Sequence, residues 1–107
     1  MIRRCLLIAA MTVASTAALR AETRTFAFPR IGGLPLDWCR GPSVACGRPA
    51  ADAFCEARGF DNALNFARAP NVGRSRIIGT GQECTPNSFA RCDGFGFVRC
   101  LRIDGDY

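Results

Sequence analysis

Pro49-Ala50-Ala51-Asp52-Ala53-Phe54-Cys55-Glu56-Ala57-Arg58-Gly59 carries both ends of one helix. Pro49 suits the first helical position, where its missing N–H would lack a partner in any case. Gly59 is a natural stop, since glycine takes the left-handed conformation there without strain. Asp52 is expected in the first turn and Arg58 in the last, each with the sign that the helix dipole favours. Ala50, Ala53, Phe54 and Ala57 recur at i, i+3, i+4 and i+7 as an apolar stripe, with Cys55 beside it. Small alanines let such a helix lie close to what it covers, and Cys55 offers a covalent tie to it.

The surface it covers is sought near the far end of the chain. Asp93-Gly94 signals a turn, and Phe95-Gly96-Phe97-Val98-Arg99-Cys100-Leu101-Arg102-Ile103 follows as the best strand. Strict alternation puts Phe95, Phe97, Leu101 and Ile103 on one face with Arg99 among them, and Gly96, Val98, Cys100 and Arg102 on the other. Thr25-Phe26-Ala27-Phe28 reads as a short strand before Pro29, and Ile31-Gly32-Gly33-Leu34-Pro35 as loop. Ala63-Leu64-Asn65-Phe66-Ala67 fits either a second short helix capped by Asp61 or a strand, ended by Pro70-Asn71-Val72-Gly73. Arg74-Ser75-Arg76-Ile77-Ile78-Gly79 reads as a strand, with a turn at Gly79-Thr80-Gly81. The sum is a small disulfide-rich α+β domain, one helix packed on a short, mostly antiparallel sheet. It is expected over residues 36–103, after a lead-in segment at 22–35 and before an acidic tail at 104–107.

The first residues belong to a different kind of segment. Met1-Ile2-Arg3-Arg4 is basic, and an uncharged apolar run from Cys5 to Leu19 follows it, softening into small residues before Glu22. Those are the three parts of a secretory signal peptide, expected over residues 1–21. The run is shorter than the roughly 20 residues that span a bilayer, so no membrane span is expected after cleavage. Cleavage after Ala21 is favoured over cleavage after Ala18. The product would be secreted or periplasmic. The chain has fourteen arginines, no lysine and nine acidic residues, a net charge of +5. Loss of Arg3, Arg4 and Arg20 with the leader lowers that charge by three, which removes the case for a nucleic-acid partner.

Cleavage also discards Cys5 and leaves Cys39, Cys46, Cys55, Cys84, Cys92 and Cys100, an even set. In a short exported chain such a set reads as a disulfide framework. Each bridge contributes about 2–4 kcal/mol, so three match the whole net stability of an ordinary domain, about 5–15 kcal/mol. Six cysteines admit many pairings, and the sequence alone does not choose among them. The expectation is that Cys84 and Cys92 close a local loop and that Cys55 ties the helix to the strand holding Cys100, leaving Cys39 with Cys46. A metal site would want closer cysteine pairs and histidine; the chain has no histidine, and no metal or cofactor is expected.

Trp38-Cys39, Cys46-Gly47, Pro49-Ala50-Ala51-Asp52-Ala53-Phe54-Cys55, Gly59-Phe60, Ala63 and Phe66 form a pattern that continues through Val72-Gly73, Ile78-Gly79, Cys84, Cys92-Asp93-Gly94-Phe95 and Cys100. Together they resemble a group of small, exported, cysteine-rich bacterial proteins of unknown function. The resemblance covers about two thirds of the chain and all six cysteines, and it implies one fold with three bridges but no activity. A looser likeness, confined to the helix and its cysteine, is to scavenger-receptor cysteine-rich domains, which are extracellular ligand-binding modules.

Enzyme chemistry is restricted by what is missing. Without histidine there is no Ser-His or Cys-His nucleophile pair; without lysine there is neither Schiff-base chemistry nor a phosphate-binding P-loop, so Gly79-Thr80-Gly81-Gln82 is only a turn. No C-x-x-C is present for disulfide exchange. Asp37, Asp52, Glu56, Glu83 and Asp93 leave a carboxylate pair, and so a small cell-wall glycosidase, as a distant alternative. The leading expectation is a non-enzymatic binding module. Arginine grips carboxylate, phosphate or sulfate in bidentate fashion, and Arg74 and Arg76, on one face of their strand, would form a patch for an anionic glycan or an acidic partner surface, joined by Arg99 or Arg102 if the strands were neighbours. Trp38 beside Asp37 would add a stacking platform for a sugar. The plainer account is that these arginines pair with nearby acids and that Trp38 packs over a disulfide. The runner-up function is an inhibitor-like, toxin-like or structural protein acting on another protein's surface.

Overall fold

The last strand organises everything else, because it is the one that can be buried from both sides. A computed structural model of the protein describes residues 19–88 and 90–105. The strands are β1 (Leu19–Ala27), β2 (Arg30–Ile31), β3 (Leu34–Pro35), β4 (Cys39–Gly41) and β5 (Val44–Cys46), then helix α1 (Arg48–Ala57), then β6 (Asn62–Ala69), β7 (Ser75–Arg76), β8 (Glu83–Cys84) and β9 (Gly94–Gly105). β9 lies between β1 and β6 in an antiparallel three-stranded sheet, and β2–β3, β4–β5 and β7–β8 are three small two-stranded ribbons. One helix, short antiparallel sheets and three disulfides make a small disulfide-rich α+β domain.

The helix covers one face of that sheet. Its buried residues are Ala50, Ala51, Phe54 and Cys55, so the apolar stripe is turned from the expected Ala50, Ala53, Phe54 and Ala57. The bridge from Cys55 to Cys100 places Cys55 at the centre of the contact rather than beside it. Asp52 lies beyond the first turn, and Arg58 is the C-cap rather than a last-turn residue, so neither acts on the dipole as expected. Asp52 instead accepts the N–H of Ala63 at 2.8 Å, fastening the helix to β6. Gly59 ends the helix with a φ of 87°.

The inner face of β9 departs from strict alternation. Val98 and Cys100 are fully buried, and so is Phe95, which alternation had placed with Phe97 on the opposite face. The cause is a bulge: Ala67 pairs with Phe97 and Arg68 with Phe95, so Gly96 is an extra residue on β9. A second register shift at Leu64 brings Ala63 and Phe66 to the same inner face. Phe26, Val98 and Phe66 then stand in one line across the three strands. Phe26 meets Phe54 edge-on at 5.1 Å, and Phe66 and Phe95 pack against Trp38 at 5.7 and 4.8 Å.

Two boundaries are corrected by this architecture. The segment 22–35 is not a lead-in: it supplies most of β1, which pairs with β9 along its whole length, and all of β2 and β3. Residues 104 and 105 continue β9 rather than forming a tail, and the rest of 104–107 lies outside the described residues. The leader expected at 1–21 also lies outside them, except that residues 19–21 begin β1. Residues 63–67 are strand, and the strand expected over 74–79 is reduced to Ser75–Arg76. Among the described residues no helix is long and apolar enough to cross a membrane.

Candidate functional site

Beyond the sheet, the chain from Leu36 to Cys46 and the chain from Ser75 to Asp93 form two stapled loops facing each other. The Cys39–Cys46 bridge joins directly opposed residues of β4 and β5. The Cys84–Cys92 bridge ties the loop after β8 back to that strand, and Cys92 is buried and accepts the N–H of Val72 through its carbonyl at 2.9 Å. With Cys55–Cys100, these are the pairs expected from the sequence. Gly79 sets the spacing between the loops: its N–H donates to the Arg40 carbonyl at 2.9 Å, and a Cβ there would stand 2.4 Å from that oxygen. No other residue allows that approach.

Between the loops lies a cleft of about 330 Å³, with Trp38 in its lining and Arg68, Arg91, Asp37 and Asp93 around it. Trp38 is half-buried: its backbone is held by the Asp93 carbonyl on one side and the Gly47 N–H on the other, and its ring rests on Phe66 and Phe95. The Arg68 guanidinium lies 5.3 Å from the centre of that ring. The Trp38 ring is therefore anchored on two core phenylalanines and also lines open space.

Both carboxylates of the cleft are already occupied. Asp37, nearly buried, accepts the Ser75 hydroxyl at 2.5 Å and the Cys39 N–H at 2.9 Å. Asp93 accepts the Asn71 N–H at 2.8 Å and the Arg68 guanidinium through Nε and Nη2 at 3.1 and 2.5 Å. The Asn71 N–H, then Arg68 and more weakly Arg91, hold the Asp93 carboxyl below its ordinary range. Arg91 is different: among the described residues it donates no hydrogen bond and forms no ion pair, and it lines the cleft near enough to Asp93 to act on that carboxylate through its charge.

The four arginines singled out from the sequence do not meet. Arg76 sits on β7, whose ribbon partner is β8, and Arg74 directly precedes that strand; both pair with Glu83. That arrangement, led by the Arg74 hydrogen bond, lowers the Glu83 carboxyl. Arg76 also donates to the carbonyls of Gly81 at 2.9 Å and Gly32 at 3.3 Å, tying two turns together. Arg99 projects from the outer face of β9 towards Thr23, whereas Arg102 projects from the inner face, where it pairs with Glu22 and lies over Phe60. β7 and β9 are not neighbouring strands, so the condition for one patch is not met.

Arg68 and Arg91 were not singled out from the sequence. Arg68 lay past a stretch that read equally as helix or strand, which hid its side of the sheet. Arg91 had one usable signal, its place beside a bridging cysteine, where a side chain is held at a fixed point on the surface. Among the described residues no group of three or more histidine, cysteine, aspartate or glutamate side chains is placed to hold a metal ion. No protein-family model, curated protein or solved structure matches the chain.

Proposed function

We propose that this protein is a non-enzymatic binding module, exported through the leader at its N-terminus, that takes an anionic saccharide in the cleft beside Trp38. The observation that carries the reading is the pairing of an aromatic wall with Arg91, a cation in the same lining whose guanidinium has no hydrogen bond or ion pair among the described residues. A sulfate or carboxylate would accept from Arg91, while the ring of Trp38 and the stem of Arg68 receive the apolar face of the sugar. The two aspartates support binding over catalysis. A glycosidase needs one carboxyl raised so that it can donate a proton, and Asp93 is shifted the other way. Three disulfides in so short a chain are compatible with an oxidising compartment outside the cytoplasm.

Trp38 is the only tryptophan, so its fluorescence reports on the cleft directly. Titration with a sulfated or uronate oligosaccharide is expected to shift that emission, with an affinity that falls as salt rises. Arg91→Ala should weaken binding by about tenfold, the loss of one charge-assisted contact. Arg99→Ala, on the outer face of the sheet, should leave it unchanged. Equal affinity for the neutral sugar, or an Arg91→Ala variant that binds as well as the parent, overturns the reading.

A further inference from the structure

β1 is an edge strand: it pairs with β9 on one side and with no described strand on the other. Which of its backbone groups face outward follows from two hydrogen bonds. Phe28 donates its N–H to the Gly96 carbonyl at 2.9 Å, which puts Phe28 and Gly96 in a bonded pair. Bonded and non-bonded pairs alternate along an antiparallel ladder, so Phe26, Arg24 and Glu22 are bonded to Val98, Cys100 and Arg102. Asp61 donates to the Leu101 carbonyl at 2.8 Å on the other side of β9, which agrees with that phase. Ala21, Thr23, Thr25 and Ala27 therefore direct their N–H and C=O groups away from the sheet, along an exposed edge.

The side chains along this edge are complementary in charge about Thr23, with Glu22 on one side and Arg24 on the other. Arg20, Glu22, Arg24 and Phe26 share the inner face, and Ala21, Thr23 and Thr25 the outer one. Laid antiparallel to a second β1 and centred on Thr23, the strand sets Glu22 opposite Arg24 twice and threonine opposite threonine, all of them residues that remain after cleavage at Ala21. Thr23, whose backbone groups face outward, then meets the outward-facing Thr23 of the second copy, so the ladder is in phase. Glu22 and Arg24 fall at a non-bonded pair, where opposed side chains come closest. Centring on Thr25 instead places Arg24 against Phe26 and Glu22 against Phe28, and both charge pairs are lost. A uniformly acidic peptide would meet Glu22 with like charge. Glu22 accepts from Arg102 through one carboxylate oxygen, and its side chain is 52 % exposed.

We propose that two copies of this chain associate through their β1 edges, antiparallel and centred on Thr23, to form one continuous six-stranded sheet. The contact is isologous, with the same residues contributed by each copy. It rests on the edge alone and is independent of the cleft.

Sedimentation equilibrium on the disulfide-bonded protein tests it. The parent chain is expected to be a concentration-dependent dimer. Thr23→Pro removes an outward N–H that β9 does not use, and should abolish the dimer while all three bridges and the thermal unfolding midpoint are kept. Glu22→Arg and Arg24→Glu each oppose like charges twice and should each weaken self-association by about tenfold or more. An equimolar mixture of those two variants presents two complementary pairs and should recover the dimer. A parent chain that stays monomeric at the highest concentration reached overturns the proposal, as does a dimer indifferent to Thr23→Pro or a mixture that stays monomeric.

Discussion

Ser75 donates its hydroxyl to the Asp37 carboxylate at 2.5 Å, with 0 % of Ser75 and 7 % of Asp37 exposed to water. This contact sits where three pieces of chain cross, because Asp37 also donates its N–H to the Arg76 carbonyl and bridges to Gly94. A buried carboxylate must be hydrogen-bonded, and here its partners come from the protein. Removing the hydroxyl leaves an acceptor that water reaches poorly. Ser75→Ala is expected to destabilise the protein by about 2 kcal/mol in urea unfolding. Thr80→Ala, which removes an exposed acceptor for the Gln82 N–H, should cost less than about 0.5 kcal/mol.

Asp93 gives the protein a dependence on acid. Its carboxyl is lowered from the ordinary 3.8, first by the Asn71 N–H and then by Arg68. The folded state therefore holds the ionised form more tightly than the unfolded chain does. The stability this contributes is complete above the unfolded value of 3.8 and is lost as pH falls through the lower folded value. Thermal unfolding followed downward from pH 5 should show that loss in the parent chain and a shallower fall in Asp93→Asn. Glu83 is shifted in the same direction but is exposed, so Glu83→Gln should alter the profile less, and less still in high salt.

The three bridges are expected to differ in worth and in accessibility. Cys55–Cys100 closes a separation of 45 residues, whereas Cys39–Cys46 and Cys84–Cys92 close 7 and 8. Loop-closure entropy makes the long bridge worth about 4 kcal/mol and each short one about 2.5 kcal/mol. Replacing Cys55 and Cys100 together by alanine should therefore lower stability most, measured against the same replacement at the other pairs. Access runs the other way, because Cys46 is exposed while Cys55 and Cys100 are fully buried. Limited reduction followed by alkylation and mass spectrometry should label Cys39 and Cys46 first.

What could be read from the sequence were the features that short-range chemistry decides. Gly59 stopped the helix, the cysteines placed the bridges, and the run from Phe95 to Ile103 became the central strand. What escaped was phase. Gly96 bulges out of β9 and turns Phe95 to the face opposite Phe97, a change that a period of two does not anticipate. The same loss of phase at Leu64 decides which side of β6 carries Phe66. The candidate site escaped for a related reason. Arg68, on β6, and Arg91, on the loop stapled by Cys84–Cys92, are 23 positions apart in sequence and come to one cleft only through the tertiary fold. Arg74, Arg76 and Arg102 proved to be the paired arginines that the plainer account describes.

Ala45 is the clearest place where the chain stands off its optimum. It sits in β5 with a φ of 54°, in the left-handed region, and its side chain is exposed. The β4–β5 hairpin holds it there because the Cys39–Cys46 bridge and the bond from the Gly47 N–H to the Trp38 carbonyl close the ribbon at one end and the Gly41–Val44 pair closes it at the other. A Cβ in this conformation costs about 1–2 kcal/mol, and glycine, which avoids that cost, gives back about 0.5–1 kcal/mol through its freer unfolded chain. An exposed methyl contributes little packing to offset the strain. Ala45→Gly is therefore expected to stabilise the protein by up to about 1 kcal/mol, read from the urea midpoint at unchanged slope. Pro42 and Ser43 of the same hairpin line the cleft but Ala45 does not, so the substitution should leave saccharide binding by Trp38 fluorescence unaltered. A loss of stability instead would mean that Ala45 makes a contact worth more than the backbone strain it carries.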